Sequence, residues 1–282
     1  MTLWRRSLAF CLLVVTFLAQ ATPGIVPNAV ADGADEQQLR PPPLPEWRPP
    51  GDSSSAENWG ISYDLRTGQE RLLPLPTQGD PSASDQLVQA SGVEGLKAVE
   101  SSSTPLSFTD LTKFDASQYP YRMNVQLFMT FSGQSGEFVC SGALIDPAHV
   151  LTAGKCVYAG SWGWATSVRV IPAYDHGAEP FGHANSAQLF TFTQWTNDQY
   201  WDWNMGLIQL DRPIGALTGW FGYSVQSDSY FEGSTFNNFG YPVAASYDQG
   251  ALYGWSGTLD QVGEHRVGHN KLGDEGMVGS GA

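Results

Sequence analysis

One stretch, Phe138-Val-Cys-Ser-Gly-Ala-Leu-Ile-Asp-Pro-Ala-His-Val-Leu-Thr-Ala-Gly-Lys-Cys156, constrains the fold of this chain more than any other. Two short apolar runs flank Asp146-Pro147, a residue pair that favours a turn because proline pre-sets its own φ and aspartate bonds the backbone ahead of it. The pattern predicts two strands joined at that turn, with a cysteine near each end. A disulfide between Cys140 and Cys156 would staple the hairpin, and closing a loop of that size is worth about 3 kcal/mol in the chain-entropy model.

Composition narrows the partners and the compartment. The 28 acidic residues outnumber the 14 lysines and arginines, giving a net charge of −14. Such a surface repels nucleic acid. The hydrophobic fraction of 41% and the 10 tryptophans supply a substantial core. Residues 1–31 read as an export signal: Arg5 and Arg6 precede an apolar run, Leu8 to Leu18, too short to span a bilayer. Small-x-small sites follow at Ala19-Gln-Ala21 and Ala29-Val-Ala31. The expected mature protein is secreted and not inserted in a membrane. Cys11 falls inside the signal, so Cys140 and Cys156 remain, and two cysteines in an exported chain read as one disulfide.

Residues 32–107 are rich in proline, serine and acidic side chains, with poor apolar periodicity, as in Arg40-Pro-Pro-Pro-Leu-Pro45 and Ser101-Ser-Ser103. They are expected to be a largely unstructured propeptide or linker, with Gly60 to Leu65 a short strand or no element at all. From about residue 108 to 282 the character is β. Tyr119 to Phe131, Ser167 to Ile171, Gln188 to Phe192, Met205 to Leu210 and Thr235 to Phe239 are strand-like, separated by glycine, proline and asparagine. No amphipathic helix is evident, and the fold class expected is an all-β sandwich or barrel.

Several landmarks recur in a familiar order: Tyr119-Pro-Tyr121, the cysteine hairpin, Asn204-Met-Gly-Leu-Ile-Gln-Leu210, Gly240-Tyr-Pro242 and Gly276-Met-Val-Gly-Ser280. From about Tyr119 onward the chain resembles the trypsin-like serine proteases, nearest the secreted bacterial glutamyl-endopeptidase branch. The resemblance implies two six-stranded β-barrels with a cleft between them. With Ala282 four residues past Val278, the second barrel is expected to be incomplete at its C-terminus, with an open edge.

That family works through a serine nucleophile, a histidine base and an aspartate that orients it. The resemblance assigns those roles to Val278, Lys155 and Asn204. Lysine, titrating near pH 10.4 when unperturbed, does not accept a proton at neutral pH. Its blander role is a cleft-lining cation paired with a carboxylate. Asparagine lacks the charge that steadies an imidazolium, an exchange that costs about ten-thousandfold in the serine-protease template. Asp202, as a stand-in on the same strand, would sit about 6.6 Å away. Valine carries no attacking atom. The backbone N–H groups of Gly276 and Val278 could still form an oxyanion hole.

The resemblance therefore implies a catalytically silent homologue, with no triad member intact, that binds a peptide or protein ligand in the old cleft and is a monomer. Two alternatives are an active endopeptidase using Ser280 with Lys155 and a purely structural secreted module. His149, His176, His183, His265 and His269 lack metal-ligand spacing, so no metal or other cofactor is expected.

Overall fold

The computed structural model describes residues 40–43, 59–75, 111–223, 228–262, 267–269, 277 and 279. Among the described residues, twelve strands carry the architecture: β1 (Trp59–Asp64), β2 (Gln69–Pro74), β3 (Thr112–Phe114), β4 (Asn124–Phe131), β5 (Phe138–Asp146), β6 (His149–Thr152), β7 (Ala165–Pro172), β8 (Ala184–Phe192), β9 (Gly206–Leu210), β10 (Thr235–Gly240), β11 (Leu252–Val262) and β12 (Val267–His269). Helical segments among the described residues are short, such as Gly154–Val157 and Thr193–Asp198.

Strands β4 to β9 close a six-stranded antiparallel barrel: β7, β4, β5, β6 and β9 are neighbours in that order, and β8 pairs with both β9 and β7. Period-2 alternation builds its interior. Val125, Leu127, Met129 and Phe131 of β4 join Cys140, Val150, Val170, Leu189 and Ile208 in one core. Phe128, on the opposite face of β4, is buried too, packing with Val139, Ile171 and Val243. A strand covered on both faces reads as a continuous apolar run, as this one does.

The second sheet holds β3, β10, β11 and β12 among the described residues. Four strands do not make the six that the resemblance implies, in line with an incomplete second barrel. Phe239, Tyr241 and Leu252 form its core with Phe114 and Tyr121 packed against them. The Gly240-Tyr-Pro242 landmark joins the two sheets, since Tyr241 N donates to Ser141 Oγ of β5 at 2.8 Å.

Residues 32–107 differ from expectation in two places. Trp59–Pro74 forms the hairpin β1–β2, whose turn is held by Asp64 Oδ1 accepting from Thr67 N at 2.7 Å. Strand β8 leaves β7 after Arg169↔Asn185 and Val170↔Ala184, and β1 takes over along Gln188 to Phe192. The hairpin thus fills a seam where the barrel sheet parts. Tyr63 stacks on Trp164 with centroids 5.3 Å apart, and Trp164 Nε1 donates to Glu70 Oε1 at 2.6 Å. Tyr63→Ala is expected to remove about 0.5–1.5 kcal/mol of docking, seen as faster hydrogen exchange in β1 with little change in the global melting temperature. Unchanged exchange would show that backbone pairing alone holds the hairpin.

The second difference is Arg40 to Pro43, which lies against the start of β5, with Arg40 bridged to Phe138. The signal at residues 1–31 lies outside the described residues. No helix among the described residues is long and apolar enough to cross a membrane.

Candidate active-site cleft

Strand β6 ends at Thr152, Ala153 stays extended, and Gly154–Val157 turns once as a helix that carries Lys155. Two features fix that turn. The disulfide Cys140–Cys156 ties it to β5, with Cα atoms 6.2 Å apart. Beneath it lies the buried indole of Trp195, whose Nε1 donates to Tyr158 O at 2.9 Å. A Cβ on Gly154 would meet that ring at 2.9 Å, so only glycine lets the turn settle this close.

Lys155 and Asn204, far apart in the chain, are in direct contact: Lys155 N donates to Asn204 Oδ1 at 2.9 Å. Asn204 follows the 3₁₀ turn Trp201–Trp203 and donates its own N–H to Trp201 O at 3.1 Å. The strand opens only at Gly206, so Asp202 belongs to the turn and not to β9. The same-strand spacing considered for Asp202 therefore does not apply.

The Lys155 side chain is 1% exposed, and its Nζ donates to Pro42 O at 3.2 Å. A backbone carbonyl is thus one acceptor for the buried amine, and a buried donor of this kind requires one. Pro42 was not foreseen as a site residue. The available signal was its chemistry: a run of prolines offers carbonyls and no N–H donors.

Val278, Gly276 and Ser280 lie outside the described residues. The neighbour of position 278, Gly279, has φ +84°, and a Cβ there would sit 2.5 Å from Ser141 O and 2.8 Å from Ala153 N. The residue after the nucleophile position therefore abuts the strand end from which Lys155 is suspended.

Each of the three histidine side chains described is paired with an acidic residue. His149 pairs with Asp146 across the hairpin turn at 2.7 Å, and His183 pairs with Glu179 at 2.6 Å. His265 and the side chain of His269 lie outside the described residues. His176 bonds Asp248 through Nε2 at 2.7 Å and Asp175 through Nδ1 at 2.5 Å. Lys113 holds the other oxygen of Asp248 at 2.6 Å. The hydrogen bonds to Asp248 and Asp175 raise the His176 pKa above its usual range. Its stabilisation is fully present below the unfolded-state value of about 6.5 and is lost as pH rises through the higher folded value. The ring is 43% exposed, so solvent screening keeps the effect small. His176→Gln is expected to flatten the melting temperature between neutral and mildly acidic pH, with the difference shrinking in high salt. A pH profile that superimposes on wild type would reject the assignment. Among the described residues, no cluster of histidine, cysteine, aspartate and glutamate could hold a metal ion.

A closed six-stranded barrel, a second β-sheet and a cysteine-stapled turn facing the strand that follows Asn204 describe a chymotrypsin-type peptidase scaffold. The trypsin family model matches residues 114–252. A thermostable serine protease, AL20, from an extremophilic microorganism superposes with a TM-score of 0.50 at 23% identity, covering 56% of this chain and 76% of that one. Over residues 114–252 the chain is a homologue of the trypsin-like serine proteases.

Within that family it is related to the glutamyl endopeptidases. It is 28% identical over 204 residues to the glutamyl endopeptidase of Bacillus licheniformis, covering 71% of this chain and 62% of the relative. It is 26% identical over 200 residues to a Bacillus subtilis protein named extracellular metalloprotease, covering 69% and 64%. The chain thus spans just under two thirds of the length of these curated relatives.

Proposed function

We propose that this protein is an exported peptidase homologue that has lost acyl transfer and binds peptide in the cleft where its relatives cut it. The observation that carries this reading is the state of Lys155: buried, with its amine donating to the Pro42 carbonyl. A general base must present a lone pair to the nucleophile's proton. The Lys155 amine is instead engaged as a donor on a backbone carbonyl of the chain's own proline run. Asn204 supports the same reading, because its side-chain oxygen accepts from the Lys155 backbone and steadies the turn without supplying charge. Val278 provides no nucleophilic atom. An oxyanion hole alone retains only about 10³–10⁴-fold over the uncatalysed reaction.

The purified secreted chain is expected to resist a fluorophosphonate probe and to leave casein and glutamyl-ester substrates intact. Covalent labelling of Ser280, or turnover that Lys155→Met abolishes, would replace this reading with the Ser280–Lys155 endopeptidase. Export is tested alongside by sequencing the N-terminus of the secreted material, which should begin after Ala21 or Ala31.

A further inference from the structure

The strand end Phe138–Val139 and the Lys155 amine together read an extended, donor-poor peptide. Val139 N donates to Arg40 O at 3.0 Å, and Lys155 Nζ donates to Pro42 O at 3.2 Å. The two carbonyls are two residues apart, and both contacts run from the barrel to the peptide. Pro41, Pro42 and Pro43 have no N–H to offer, so a surface that recognises them through the backbone must supply donors. Proline also pre-sets an extended conformation, which lowers the entropy lost on binding. The preceding residue is read as well. The Arg40 guanidinium lies 4.8 Å from the centroid of the buried Phe138 ring and donates to Ser135 O at 3.5 Å. Pro42 itself is buried.

We propose that Phe138, Val139 and Lys155 form a binding site for extended Arg-Pro-Pro peptides, which the chain's own Arg40–Pro43 occupies in cis. The replaced histidine position then serves as a carbonyl clamp, and the site is closed to other peptides until this strap leaves. The inference rests on the reading of Lys155 as a donor in a silent cleft, yet the two fail separately. Probe labelling would sink the silent reading, whereas the peptide measurement below reads occupancy alone.

The experiment compares binding of a fluorescent Arg-Pro-Pro-Pro peptide to the full chain and to Arg40→Ala/Pro42→Gly by anisotropy. A cis occupant lowers apparent affinity by the fraction of open sites. Weakening the strap is therefore expected to tighten peptide binding by about tenfold or more. Adding Lys155→Met to the strap variant should reverse that gain. Since Lys155 is buried, a fold-safe readout accompanies it: hydrogen exchange at the Val139 amide should quicken in the strap variant and slow again with saturating peptide. Equal affinity of the wild type and strap variant would overturn the proposal, as would a strap variant in which peptide leaves Val139 exchange unchanged. A peptide with alanines for all three prolines that binds equally well would overturn the proline reading.

Discussion

Trp195→Ala is expected to lower stability by about 3–5 kcal/mol, the usual cost of truncating a fully buried tryptophan. At roughly 2–4 °C per kcal/mol for a domain of this size, the melting temperature should fall by about 6–20 °C. The position justifies the upper part of the range. The indole fills the space beneath the Gly154–Val157 turn, where a single Cβ on Gly154 would already collide with it. Its removal opens a cavity that a one-turn helix cannot close, because the disulfide holds the turn at Cys156 and the Asn204 bond holds it at Lys155. The Tyr158 carbonyl also loses the indole donor. Trp195→Phe separates the two contributions: it keeps most of the ring and loses the N–H, at about 1–2 kcal/mol. Thermal unfolding of both variants gives the check. An alanine variant within 1 kcal/mol of wild type, on the order of a surface substitution, would mean that the turn is positioned without the ring.

Physical chemistry explains which of these features the sequence exposes. Aromatic and β-branched runs between turn residues make β4, β7, β8, β9 and β10 readable, and the Asp146-Pro147 turn marks the hairpin that presents Lys155. The resemblance implies that Asn204 and Lys155 share one site, and a hydrogen bond joins them. Strand β1 falls on Gly60 to Leu65, where a short strand is one of the two expectations, whereas β2 is mostly exposed and shows no period of burial, and the place of the hairpin is set by a gap between β7 and β8 remote in the chain. Strand β11, the longest, was missed because Gly254, Ser256 and Gly257 interrupt its apolar pattern. Arg40–Pro43 looked unstructured because proline-rich segments form no ladder of their own, and here the order comes from donors on another element.

Replacing both Cys140 and Cys156 with serine is expected to cost about 3 kcal/mol from the added freedom of the unfolded chain, the cysteines lying 16 residues apart. Both are fully buried in the barrel core. Serine hydroxyls left there without partners add about 1–3 kcal/mol, so the total matches or exceeds that of Trp195→Ala. The functional consequence differs, because the bridge joins the two halves of the peptide track. Cys140 follows Val139, which holds Arg40, and Cys156 follows Lys155, which holds Pro42. The serine pair should therefore melt at lower temperature and, in conditions where it stays folded, show faster exchange at Val139 than the comparably destabilised Trp195→Ala. If the two variants exchange alike at that amide, the disulfide acts on the unfolded chain only, and the separation of Val139 from Lys155 is set by the β5–β6 ladder instead.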